Sequence, residues 1–176
     1  MSGAEVTAVI ALGSNLGDRG ELLVSAVAGL AAVDGIIVEA ASPVVETIAL
    51  KPGGRDSSAP KYLNAVVLVR TTLAPHALLD ALHVIENVHG RERGELWGNR
   101  TLDLDIVDYD GQTLHDPDLV LPHPHAHERD FVLSPWAAVD PDAVLPGHGR
   151  VADLLTSLGD LSGAVGDIHL GIGAAR

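Results

Sequence analysis

The order in which strand-like and helix-like apolar patterns alternate constrains this chain more than any other feature. Val6 to Leu12 is a short apolar run closed by Gly13-Ser14-Asn15, and it reads as a buried strand. Asp18 is placed to cap a helix running to about Val33, with Leu22, Leu23, Ala26, Val27 and Leu30 on one face. Ile36 to Ile48 is rich in Val and Ile and reads as strand, interrupted near Ser42-Pro43. Leu50 to Pro60 reads as a polar loop, and Tyr62 to Thr72 as a strong strand. Pro75 opens a helix to about Val88, with Leu78, Leu79, Leu82, Ile85 and Glu86 in register and Gly90 as its stop. A loop from Gly90 to Arg100 leads into a strand from Thr101 to Tyr109. Leu119 to Leu133 carries Pro and His and reads as irregular. Phe131 to Val139 and Val151 to Leu158 read as short helices.

The sum is β-α-β-β-α-β with a C-terminal extension. That order predicts an α+β, ferredoxin-like core, with an antiparallel sheet covered by helices on one face. The length of 176 residues fits one domain, 1–176, with a core over about 6–158 and a Gly-rich tail, 159–176, as its least defined part. Hydrophobic residues make up 47%, enough for a proper core without staples. The absence of Cys removes disulfides, thiolate zinc sites and cysteine nucleophiles together. No apolar stretch approaches the ~20 residues of a membrane span, and Met1 to Leu12 lacks the basic start of a signal peptide. The expectation is a soluble, cytoplasmic monomer. A net charge of −13 sets it against nucleic acid and anionic membrane.

Thr101-Leu102-Asp103-Leu104-Asp105-Ile106 is the sharpest chemical signal. On a strand, alternate side chains share a face, so Leu102, Leu104 and Ile106 point to the core and Asp103 and Asp105 point together to the other side, ~7 Å apart at ~3.3 Å rise per residue. Two carboxylates so placed suit Mg²⁺, which takes a few carboxylates, water and substrate phosphates. The alternative is a solvated acidic face, although Asp is a poor strand former. Just upstream stand Arg91, Arg93 and Arg100, whose guanidinium groups suit phosphate oxygens. Such a loop is also a common solvated surface. From Thr101 to His127 there are six Asp and no Lys or Arg, so a cationic loop runs straight into an acidic segment. Trp97 in that polar loop is placed to close over something. Gly13-Ser14-Asn15 matches neither nucleotide-binding glycine motif and reads as a tight turn. Asn64 offers the donor and acceptor that a heterocycle edge requires, or serves as a strand-end hydrogen-bonder. His123, His125 and His127 admit a zinc reading, or a single His near phosphates with Arg129 beyond.

Taken together these residues resemble the 6-hydroxymethyl-7,8-dihydropterin pyrophosphokinase family of folate biosynthesis. The resemblance spans about Val6 to Asp140. It rests on Ala11-Leu12-Gly13-Ser14-Asn15-Leu16-Gly17-Asp18, on Tyr62-Leu63-Asn64-Ala65, and on Gly90-Arg91-x-Arg93 leading into Trp97-Gly98-x-Arg100-Thr101-Leu102-Asp103-Leu104-Asp105. Leu121-Pro122-His123-Pro124 and Arg129-x-Phe131-Val132-Leu133 complete it. It implies transfer of pyrophosphate from ATP to a hydroxymethyl-dihydropterin, with ATP and the pterin as partners and two Mg²⁺ held by Asp103 and Asp105. It also implies triphosphate contacts from Arg91 and Arg100, with Arg93 nearby, and closure of their loop by Trp97. His123 and Arg129 would contact nucleotide phosphates, with Glu86 and Ile106 lining the nucleotide side. Asn64, Phe131 and Tyr62 would meet the pterin, and Thr47 and Leu50 would reach it through backbone. Leu96, Asn99, Ile48-Ala49, Asp118 and Pro124 depart from common family choices, which implies a loop that closes less tightly.

Overall fold

The computed structural model describes residues 3–15, 18–51, 54–56, 61–89, 102–160, 162–165 and 168–170. Strand β1 (Val6–Ser14) leads to helix α1 (Arg19–Ala31), then β2 (Ile36–Ala41) and β3 (Val44–Thr47). A small hairpin, β4 (Ala49–Lys51) and β5 (Gly54–Asp56), precedes β6 (Tyr62–Thr71), α2 (Pro75–Val88) and β7 (Asp103–Tyr109). The C-terminal part holds β8 (Leu114–His115), β9 (Val120–Leu121), a 3₁₀ turn at Ala126–Glu128, α3 (Asp130–Val139), β10 (Val144–Leu145), β11 (Gly149–Arg150), α4 (Val151–Leu158) and β12 (Gly163–Val165).

The main sheet runs β12-β3-β6-β1-β7, with β2 also paired to β6, and its pairings are antiparallel. β1 is central. It pairs Val6 with Thr71 on one side and Ala8 with Tyr109 on the other. One apolar cluster joins Ala8, Ile10 and Leu12 of β1 to Leu23, Val27 and Leu30 of α1 and Leu78, Leu82 and Ile85 of α2. Those helix positions recur every three to four residues, the spacing that keeps one face toward the sheet. Asp18 caps α1 by accepting from the Glu21 N–H at 3.1 Å, and Pro75 starts α2 where its missing N–H has no helical partner to lose.

Four expectations are corrected here. Helices cover both faces of the sheet, because β1 and β6 are apolar on both. A second cluster packs Val9, Val66 and Val107 of the sheet against Val132, Leu133 and Trp136 of α3 and Val151 of α4. The polar segment after Thr47 contains the β4–β5 hairpin. Gly13 and Ser14 continue β1 and do not turn. The segment from Leu119 to Leu133, expected to be irregular, is so at Leu119, from Pro122 to His125 and at Arg129, but it also holds β9 and the 3₁₀ turn. The tail also contributes. β12 pairs with β3, and Leu170 is buried in the core.

Candidate active site

Antiparallel pairing places side chains in rows across the sheet. Gly13 of β1 lies opposite Asn64 of β6 and opposite Asp103 of β7. Ala11 lies between Val66 and Asp105 in the same way. Paired residues share a face, so an amide and two carboxylates flank a floor of two small residues. The 3₁₀ turn and α3 supply the roof, with Arg129, Phe131 and Val132. The result is a cleft of about 780 Å³, its open mouth included, also lined by Thr47, Ile48 and Tyr62. It faces the α3 side, over the contiguous strands β3, β6, β1 and β7.

Asp103 is half-buried and Asp105 exposed, both on the cleft, as the alternation of their strand requires. A bulge between Val9 and Ile10 leaves Val107 as the extra residue of β7 and ends that alternation. Asp108, beyond it, accepts from the Gly111 N–H at 3.3 Å, and burial raises its pKa. Glu86 is 2% exposed on α2, and its carboxylate accepts from the Leu104 N–H at 3.0 Å. Expected to line the nucleotide side, it also anchors the residue between the two Asp. Ile106 is buried in the α1–α2 core, so it can meet a ligand on the Asp face only through its backbone. Tyr62 and Asn64 line the cleft, and the Thr47 hydroxyl donates to Asn64 Oδ1 at 3.1 Å.

The Arg129 guanidinium lies 5.8 Å from the Phe131 ring centre, a cation–π contact near the outer limit of about 6 Å. His123 follows a cis Leu121–Pro122 peptide. Its Nδ1 accepts from the His125 N–H at 3.1 Å, so the neutral ring carries its proton on Nε2 as a donor. Burial first, then the positive Arg129 and His125, lower its pKa to about 4. An unfolded His titrates at about 6.5. Between those values the unfolded chain binds a proton that the folded chain does not, so stability falls as pH drops from 6.5 toward 4 and is untouched above. His123→Gln should flatten that limb when urea midpoints at pH 7 and pH 4.5 are compared. An unchanged difference between the two midpoints would contradict it.

The three His do not converge. His125 pairs with Glu128, and His127 stacks on His148 at 4.1 Å. Among the described residues no group of three or more His, Cys, Asp or Glu could hold a metal, which removes the zinc reading of that segment. Arg91, Arg93, Trp97 and Arg100, with Leu96 and Asn99, lie outside the described residues, as does the expected Gly90 stop. Leu50 falls in β4. What the sequence did not disclose is the floor. Ala11 and Gly13 stand in a motif of the family resemblance, but their place as the floor follows from strand register, which no local pattern shows.

Fold and site define a small mixed α/β protein with a cleft beside paired carboxylates. Residues 9–141 match the family model of 7,8-dihydro-6-hydroxymethylpterin-pyrophosphokinase. The 2-amino-4-hydroxy-6-hydroxymethyldihydropteridine pyrophosphokinase of Methylorubrum extorquens is 43% identical, over 80% of this chain and 87% of the relative. That of Haemophilus influenzae is 37% identical, over 88% and 94%. The chain belongs to the 7,8-dihydro-6-hydroxymethylpterin-pyrophosphokinase family. Among solved structures, wild-type Plasmodium falciparum HPPK-DHPS with pteroate superposes with a TM-score of 0.67 at 14% identity, a likeness of fold. The match covers 89% of this chain and 43% of that one, so the chain spans under half of that longer protein. Among the described residues, no helix is long and apolar enough to cross a membrane.

Proposed function

We propose that this chain transfers pyrophosphate from ATP to the hydroxyl of 6-hydroxymethyl-7,8-dihydropterin, giving AMP and the dihydropterin diphosphate, in folate biosynthesis. The observation that carries the reading is the row Asn64–Gly13–Asp103 beneath Phe131. A flat heterocycle can lie on the small-residue floor, read on one edge by the Asn64 amide, with its substituent toward the carboxylates. Phe131 offers a ring face to stack on and Tyr62 a second aromatic wall. Thr47 lines the same cleft, and Thr47 and Leu50 are assigned by family position to backbone contacts with the heterocycle.

Asp103 and Asp105 are hard oxygen donors side by side on the cleft, and this donor set would suit two Mg²⁺, which take few carboxylates and complete their shells with water and phosphate. When bound, these ions supply neutralisation of charge on the reacting oxygens. Arg129 gives a planar fork for phosphate, and His123 a neutral N–H donor. Arg91, Arg93, Arg100 and Trp97 are assigned by family position to the triphosphate side and to covering it. The pterin hydroxyl then attacks the β-phosphorus in line and AMP departs. The strand order, with β7 beside β1, β1 beside β6 and β6 beside β2 and β3, supports a ferredoxin-like core in one domain over 1–176. A cytoplasmic monomer is the simplest form for it.

Nucleotide products test the reaction directly. The chain, supplied with Mg·ATP and the dihydropterin alcohol, is expected to release AMP in step with loss of the alcohol on ion-exchange chromatography. ADP with a monophosphorylated pterin would mean attack at the γ-phosphorus and would end this reading.

A further inference from the structure

Gly13 and the side chain of Thr47 form a device around Asn64 that the reaction alone does not require. The Thr47 hydroxyl is 3% exposed at residue level and donates to Asn64 Oδ1 at 3.1 Å. That bond tells the two ends of the amide apart. With oxygen fixed toward β3, Nδ2 must point the other way, across β1. There it lies over Gly13, where a Cβ would come within 3.2 Å of Nδ2 and 3.9 Å of the Tyr62 ring. A contact of 3.2 Å requires the neighbour to give by a few tenths of an ångström, and a shift of the amide by that much strains the Thr47 bond. Gly13 has no positive φ to account for its being glycine, since it is regular strand within β1. The space above it is what the amide uses. Asp103 then stands on the far side of the same gap.

We propose that Gly13 and the Thr47 hydroxyl are positioning residues that fix the polarity of the Asn64 carboxamide, so that the cleft presents an N–H on the Gly13 side and the remaining Oδ1 lone pair on the β3 side. A ligand edge with an acceptor beside a donor, as a lactam has, is then accepted in one orientation and refused in the reverse. In the accepted orientation its substituent is directed along the row toward Asp103. The inference rests on the proposed pterin site and adds what makes that site choose an orientation.

The test separates the two. Without ligand, the Asn64 side-chain amide resonances should shift in Thr47→Val and in Gly13→Ala, and return in Thr47→Ser. With ligand, Thr47→Val should weaken the dihydropterin alcohol about tenfold, while a non-hydrolysable Mg·ATP analogue binds within about twofold of the parent. In an Asn64→Ala background the same Thr47→Val change should cost less than about twofold more, because its route is gone. Thr47→Val resonances that match the parent, Thr47→Ser behaving like Thr47→Val, or equal losses with and without Asn64 would each overturn the inference and leave the proposed reaction standing. Failure of the parent itself to bind the alcohol would overturn the reaction, while the resonances would still decide whether the amide is fixed.

Discussion

Asp105→Ala, and separately Asp103→Ala, should leave a folded protein that turns over about a thousand-fold more slowly. Several kcal/mol of charge stabilisation are at stake, and each ~1.36 kcal/mol is a tenfold change in rate. Asp105 is exposed and its neighbours Leu104 and Ile106 carry the packing, so its loss should shift stability by no more than ~0.5 kcal/mol. Removing a carboxylate from a chain of net charge −13 also lowers repulsion toward ATP. Nucleotide affinity in EDTA should therefore rise slightly in the variants, while affinity in excess Mg²⁺ falls. The opposite signs distinguish a metal-linked carboxylate from a misfolded site. Rates within tenfold of the parent at saturating Mg²⁺ would remove both Asp from the mechanism.

Trp136→Ala should cost about 3–5 kcal/mol, a large part of a typical total of roughly 5–15 kcal/mol. Trp136 is 2% exposed and sits between α3 and the sheet with Val66, Val107 and Leu133. α3 also carries Phe131, so a loosened helix takes the roof of the cleft with it. Pterin binding should weaken along with the urea midpoint, although Trp136 does not line the cleft. Trp136→Phe should cost much less. Trp136 Nε1 is buried with no partner, and an unpaired donor already carries a penalty of ~1–3 kcal/mol that Phe removes. Urea unfolding followed by circular dichroism measures both variants. A loss below ~1 kcal/mol for Trp136→Ala would mean that α3 is held by other contacts.

The elements legible in the sequence were those with a strong local pattern. α2 was bounded by Pro75 and by the run of Leu78, Leu82 and Ile85. β7 was bounded by its alternation, and that alternation also put Asp103 and Asp105 on one side. The β4–β5 hairpin escaped because Pro52, Gly53 and Gly54 speak only for a turn, and strands of three residues carry too few apolar positions to show a period. The second helical face was legible in principle. Val6 to Leu12 and Val66 to Val69 have apolar residues at consecutive positions, which one covered face does not explain. The floor of the cleft was not legible, since register joins Gly13, Asn64 and Asp103 from three distant segments. Glu86 is a second case. The family resemblance spoke for a ligand contact, and no local pattern announced that its buried carboxylate accepts from the Leu104 N–H, which braces the strand.

The central place of β1 bears on how the chain comes to be folded at all. β1 precedes both of its partners in the chain by long intervals. Gly13 waits for Asn64 and then for Asp103 before both its backbone edges are satisfied. Topologies dominated by such separations fold slowly, because loop closure must precede any gain from pairing. Through that interval Val6 to Leu12 is an uncharged, strand-prone segment with two bare edges and two apolar faces. The arrangement that seats the floor of the cleft on an interior strand thus leaves both edges of that strand bare until the last of its partners, β7, is in place.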